Sequence, residues 1–254
     1  MRMSYKIATA TFGAAALLPF GMASALAADG NLTANLRPVP LNGVSASGTA
    51  MVKVTGNTIN VTMAATGLLA GSPHAAHIHF GADARQECPT AGDDAKKDGT
   101  INTTDGAPAY GPIVVSLTKT GDTSPASGLA VARFDTAPGG KISYERGSIT
   151  VSPAVAKAVA DGQSAVVVHG VDHNGNGKYD GATKSELDPK LPTEATDPAI
   201  CGVLASAPAG GMATGAGGSA QSTNNGGMLL IGGGFLMAAA GTGAVAARRA
   251  RARA

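Results

Sequence analysis

Thr49-Ala50-Met51-Val52-Lys53-Val54-Thr55-Gly56-Asn57-Thr58-Ile59-Asn60-Val61-Thr62-Met63-Ala64 decides the fold class. Thr49 to Val54 and Thr58 to Ala64 flank Gly56-Asn57, a pair that closes a hairpin, so this stretch predicts two antiparallel strands. Working outward, Asn31 to Arg37 alternates in the same way. Ala75 to Phe80, Ile113 to Thr118, Leu129 to Phe134, Ile142 to Val151, Ser164 to His169 and Ile200 to Leu204 follow as short candidate strands. About nine short strands separated by Gly, Pro and Asp turns predict an all-β domain, an antiparallel sandwich or Greek-key barrel. One short helix is expected after Ser152 as N-cap, with Pro153 at its first position and Gly162 past its end.

Only 14% of the 254 residues are charged, which argues against a disordered chain or a long coiled coil. Six of the 19 basic residues lie at the extreme ends: Arg2, Lys6, Arg248, Arg249, Arg251 and Arg253. Without them 13 basic residues face 17 acidic ones, so the body is mildly acidic and carries no footprint for nucleic acid. No nucleophile triad, P-loop or dinucleotide fingerprint offers a rival chemistry.

The ends read as addresses. Residues 1–27 combine a basic start, an apolar run and Ala25-Leu26-Ala27, the pattern of an export signal cut before Ala28. Residues 205–227 read as a flexible Gly/Ala/Ser linker. Residues 228–247 are twenty uncharged residues, enough to cross a bilayer as a helix, and the basic tail 248–254 follows as a stop-transfer signal. The expected product is an exported β domain, 28–204, anchored outside the membrane by a C-terminal helix.

Two long segments, 81–111 and 171–199, carry little strand pattern, and the five histidines lie near their edges. His77 and His79 share one face of a strand, and two adjacent imidazoles suit copper or zinc. His169 ends the apolar run AVVVH. Cys88 and Cys201 are the only cysteines, and in an exported protein an even pair forms a disulfide. Asp172, Asn174, Asn176 and Asp180 alternate around Gly177, as in the first part of an EF-hand-like loop, and are candidate calcium ligands, although Thr183 stands where such a loop ends in Glu. Asp94 to Asp105 is a weaker version, with Lys96 at a ligand position. Asn-Gly and Asp-Gly pairs also make ordinary turns.

The segment HIHFG, Cys88 eleven positions after His77, the strand VVVHG and the final ICGVL resemble the Cu/Zn superoxide dismutase family in order and spacing. The resemblance implies a flattened eight-stranded Greek-key barrel, copper held by His77, His79 and His169, and a Cys88–Cys201 bridge. His74 or His173 could serve as a fourth ligand by rearrangement. The HIHFG strand pattern is also similar to chordin-type (CHRD) domains, a family without established catalysis. Two departures bear on activity. Asp94 stands where the dismutase family has the His that bridges copper and zinc, and no His follows before His169, so a zinc cluster is not expected. Pro198 stands where that family has an Arg that attracts superoxide. The sequence therefore leads to two expectations: a membrane-anchored extracellular copper protein with weak or no dismutase activity, or a non-catalytic surface module for adhesion or assembly.

Overall fold

The computed structural model describes residues 28–207. The expected signal segment, the membrane helix, the basic tail and most of the linker lie outside the described residues. Among the described residues no helix is long and apolar enough to cross a membrane.

The described chain is mostly β. Its strands are β1 (Asp29–Pro38), β2 (Ser47–Thr55), β3 (Thr58–Thr66), β4 (Pro73–His74), β5 (Ala76–His79), β6 (Ile113–Ser116), β7 (Asp135–Thr136), β8 (Lys141–Thr150), β9 (Ala165–His169), β10 (Pro198–Val203) and β11 (Ala205–Ser206). Three helices join them: α1 (Thr103–Tyr110), α2 (Pro153–Ala160) and α3 (Thr193–Thr196). The main sheet runs β6-β5-β9-β10-β1-β2-β3-β8, with β11 added to β1, and every pairing is antiparallel. The predicted hairpin is β2–β3, in register from Ser47–Thr66 to Thr55–Thr58, with Gly56 at a φ of 57° in the turn.

The sheet is curled. Its outermost strands, β6 and β8, form no ladder with each other among the described residues. Side chains close part of that gap. On β8, Arg146 donates to the carbonyl (2.6 Å) and hydroxyl (2.8 Å) of Thr118, two residues past β6, and also to the Gly121 carbonyl, while the Tyr144 hydroxyl reaches the Thr118 carbonyl at 3.3 Å. The concave side holds the main core, built from alternate residues such as Val52, Ile59, Val61, Ile78, Val166 and Ile200.

Burial tells the strands apart. β2 and β3 bury every second residue, as one-sided strands do. β5 and β9 are buried at every position, and β10 at all but its last. Their convex face is covered by the segments 80–112 and 170–197. Beneath that cover a second, smaller core forms from Val39, Ile101, Tyr110, Ala165, Val167 and Cys201, with Cys88 against it. The expected disulfide is present: Cys88 and Cys201 are bonded across 113 positions of sequence.

Most strand expectations match. Leu129 to Phe134 does not: Val131–Arg133 is a 3-10 turn. The reason lies in its Arg133, whose guanidinium is committed to the Ser127 hydroxyl (2.7 Å) and to the carbonyls of Thr120 (2.7 Å) and Asp122 (2.8 Å), curling the segment on itself. The helix after Ser152 matches, its N-cap hydroxyl accepting from Val155 N at 3.2 Å. The expectation of a single short helix fails, because α1 and α3 lie inside the two segments read as irregular.

Candidate metal centre

Strand alternation puts His77 and His79 on the convex face of β5. β9 pairs with β5 so that His77 faces Val167 and His79 faces Ala165, which sets His169 on the same face two residues beyond Val167. On the far side Cys201 is opposite Val167. The three histidines and the disulfide thus share the covered face of three neighbouring strands.

The imidazoles converge. Their ring centroids are 5.0 Å (His77–His169), 5.6 Å (His77–His79) and 5.9 Å (His79–His169) apart. Each ring offers a nitrogen within 4.8 Å of the other two. The exposures are 3, 2 and 3% for His77, His79 and His169. Phe134 stands edge-on to His77 at 5.2 Å, and Tyr110 against His79 at 4.5 Å.

The hydrogen bonds assign the tautomers. His77 Nε2 lies 3.1 Å from the Gly128 carbonyl, His79 Nδ1 2.8 Å from the Gly111 carbonyl, and His169 Nδ1 2.6 Å from the Thr196 carbonyl. A carbonyl oxygen only accepts, so each of these nitrogens carries the proton and donates. The opposite nitrogens, His77 Nδ1, His79 Nε2 and His169 Nε2, are buried with no hydrogen-bond partner. Three buried lone pairs without partners are costly in an apolar setting unless something accepts them. A ring held through one nitrogen by a carbonyl, with the other free, is the arrangement that metal-binding histidines adopt. The residues present therefore fit a metal ion.

The electrostatics keep these rings neutral. Burial, the largest effect, lowers the pKa of His79 to about 3 and of His169 to about 4, and puts His77 well below the usual imidazole value. The positive charge of one ring would further oppose protonation of its neighbours. Neutral imidazole is the metal-binding form.

His74 and His173 do not enter the cluster. His74 is fully buried beneath His169, its Nδ1 2.8 Å from the His169 carbonyl and its Nε2 3.1 Å from the Leu69 carbonyl. The Tyr179 hydroxyl lies 3.2 Å from the same ring, over Gly170, where φ is 111° and a Cβ would collide with that hydroxyl. His173 Nε2 is 2.8 Å from Asp197 Oδ2, and this carboxylate raises the pKa of the His173 imidazole.

The alternating loop folds back on itself. Asp172 accepts from Asn176 N (3.2 Å) and Gly177 N (2.8 Å), and the Asn174 and Asn176 amides both donate to Asp180 Oδ1, at 3.2 and 2.7 Å. The residue that organises this loop was not visible in sequence. Glu194, 1% exposed, accepts from four backbone N–H groups of the loop: His173 (3.1 Å) and Asn174 (3.3 Å) on Oε1, Asp180 (2.8 Å) and Gly181 (2.6 Å) on Oε2. In the weaker loop, Asp94 accepts from Asp98 N and Gly99 N, while Asp105 and Asn102 cap α1 reciprocally. Both ends of that stretch serve local backbone.

Three further parts escaped sequence reading: the carbonyls of Gly111, Gly128 and Thr196, the wall rings Tyr110 and Phe134, and Glu194. Main-chain acceptors leave no trace in residue types, Tyr110 stands in a segment with no periodicity to mark it, and Phe134 ends a stretch read as a strand that does not form. No protein-family model matches the sequence, and a comparison with curated proteins finds no match.

Proposed function

We propose that this chain is an exported, membrane-anchored copper-binding protein with a degenerate superoxide-dismutase-like barrel and little or no dismutase activity. One observation carries the metal reading: three neutral, buried imidazoles, each with one ring nitrogen left without a partner, converge on the covered face of β5 and β9. Copper is favoured among imidazole-binding metals by the sequence resemblance, in which the same three histidines would be its ligands. The order of signal, β domain, linker, apolar run and Arg tail in the sequence supports the placement outside the membrane. Weak turnover follows from Asp94 and Pro198 standing where the family has its bridging His and anion-attracting Arg. Burial of the cluster adds to this, since the three rings, at 2–3% exposure, offer little surface to a small anion.

Metal analysis of the purified protein, with a His77→Ala/His79→Ala double variant beside it, tests the reading. About one copper per chain, lost in the variant, is expected; equal metal in both would remove the site. The enclosed cluster also favours a second reading, a non-catalytic chordin-type surface module in which the centre is structural. Measurable dismutase activity that needs His77 and His79 would exclude the second.

A further inference from the structure

We infer that the three-histidine centre selects a monovalent ion, Cu(I), over Cu(II) and Zn(II). This rests on the metal-binding reading above and adds the charge and oxidation state of the ion.

The donor set carries no charge. Each ring is fixed as a neutral tautomer by a carbonyl, and among the described residues no carboxylate or thiolate joins the three nitrogens as a further ligand. Nothing in the first layer would offset a second positive charge. The centre is also shut from water by the sheet beneath and by the rings of Phe134 and Tyr110 above. The cost of moving an ion out of water grows with the square of its charge, so a divalent ion meets about four times the penalty of a monovalent one of similar size.

Coordination number points the same way. Cu(II) prefers a tetragonal set, and Zn(II) takes four ligands, with a water completing the set where the protein supplies three, a water this covered site has to admit. Three ligands satisfy Cu(I). Among the described residues a fourth ligand is not at hand: both nitrogens of His74 face carbonyls, His173 is paired with Asp197, and the Tyr110 hydroxyl donates to the Thr103 carbonyl at 3.1 Å. The spacing is compatible with three ligands. Three atoms no more than 4.8 Å apart share a point that lies within about 2.8 Å of each, so the rings need to close by less than about 1 Å to reach metal–nitrogen bonds of roughly 2.0 Å.

The test uses the full-length protein. Cu(I) is titrated without oxygen against a chromogenic Cu(I) chelator, and Cu(II) and Zn(II) are titrated against their own chelators. Cu(I) is expected to bind more than tenfold tighter than either divalent ion and to be lost in His77→Ala/His79→Ala. For copper, a tenfold preference equals a reduction potential raised by about 59 mV over the aqueous couple. Cu(II) or Zn(II) binding within tenfold of Cu(I) overturns the selectivity while leaving the metal site standing. Absence of binding by all three ions overturns the metal-binding reading itself. Phe134→Ala, which opens one wall to water, is expected to raise Cu(II) affinity toward that of Cu(I). An unchanged ratio in that variant, if folded by circular dichroism, would show that enclosure is not the cause.

Discussion

At the scale of single residues, the centre is a place where folding keeps three imidazoles neutral that would otherwise gain protons. An unfolded imidazole titrates near 6.5, whereas burial holds His169 near 4 and His79 near 3. Below pH 6.5 the unfolded chain therefore takes up protons that the metal-free folded chain refuses. Stability falls across the window between the two values, by about 1.4 kcal/mol per pH unit for each such histidine. Urea midpoints of the metal-free protein are expected to drop from pH 7 to pH 5, and the His77→Ala/His79→Ala variant to show a shallower drop. A wild-type midpoint independent of pH over that range would mean that the rings are not buried neutral. The same burial bears on copper retention. A free imidazole would lose metal below about pH 6. These rings resist protonation, so occupancy is expected to persist to about pH 4, as measured by metal retained after desalting at each pH.

At the scale of elements, the visible and the hidden parts of the fold differ for a physical reason. The β2–β3 hairpin was legible because one face meets the core and the other meets water, so its residues alternate. β9 was legible as an apolar run because it is covered on both faces. Strand period put His77 and His79 on one face, the resemblance implied that His169 joins them, and the β5–β9 pairing of the structure brings the three together. α1 was not legible. Its sequence TTDGAPAY contains Gly106 and Pro108, both poor helix formers, and no apolar stripe. Packing of Tyr110 under the cover and the Asn102–Asp105 cap hold it instead. α3 is four residues long and matters through what it carries. Glu194 gathers the loop 172–181, and two residues later the Thr196 carbonyl holds His169. Glu194→Ala removes one acceptor group from four N–H donors. A donor left without its acceptor costs about 1–3 kcal/mol where it stays buried, and these part-buried donors on the rim of the loop are expected to turn to water instead. Hydrogen exchange at His173, Asn174, Asp180 and Gly181 should therefore accelerate at least tenfold, with the β2–β3 amides unchanged. Unchanged protection at those four amides would show that Glu194 does not hold the loop.

At the scale of the whole molecule, the disulfide joins the sheet to its own cover. Cys201 lies on β10, opposite Val167, while Cys88 belongs to the covering segment. From Cys88 the connection runs through short steps. Arg85 N and Glu87 N donate to the carbonyls of Pro108 and Ala109, which tie this segment to α1. α1 ends at Tyr110, whose ring walls His79, and the next carbonyl, Gly111, accepts from His79 Nδ1. Breaking the bridge should thus act twice. Losing a cross-link over 113 positions is expected to cost about 5 kcal/mol of stability in the chain-entropy account. It should also let the cover lift from the metal centre without displacing β5 or β9, which the main core still holds from the concave side. A Cys88→Ser/Cys201→Ser variant loaded with Cu(I) is expected to release copper to an excess of chelator at least tenfold faster than the bridged protein. The comparison belongs well below the unfolding midpoint of the variant, so that release reports local opening. If the variant loses stability but releases copper at the wild-type rate, the bridge serves the fold alone, and the ion leaves past Phe134 on the other side of the cluster.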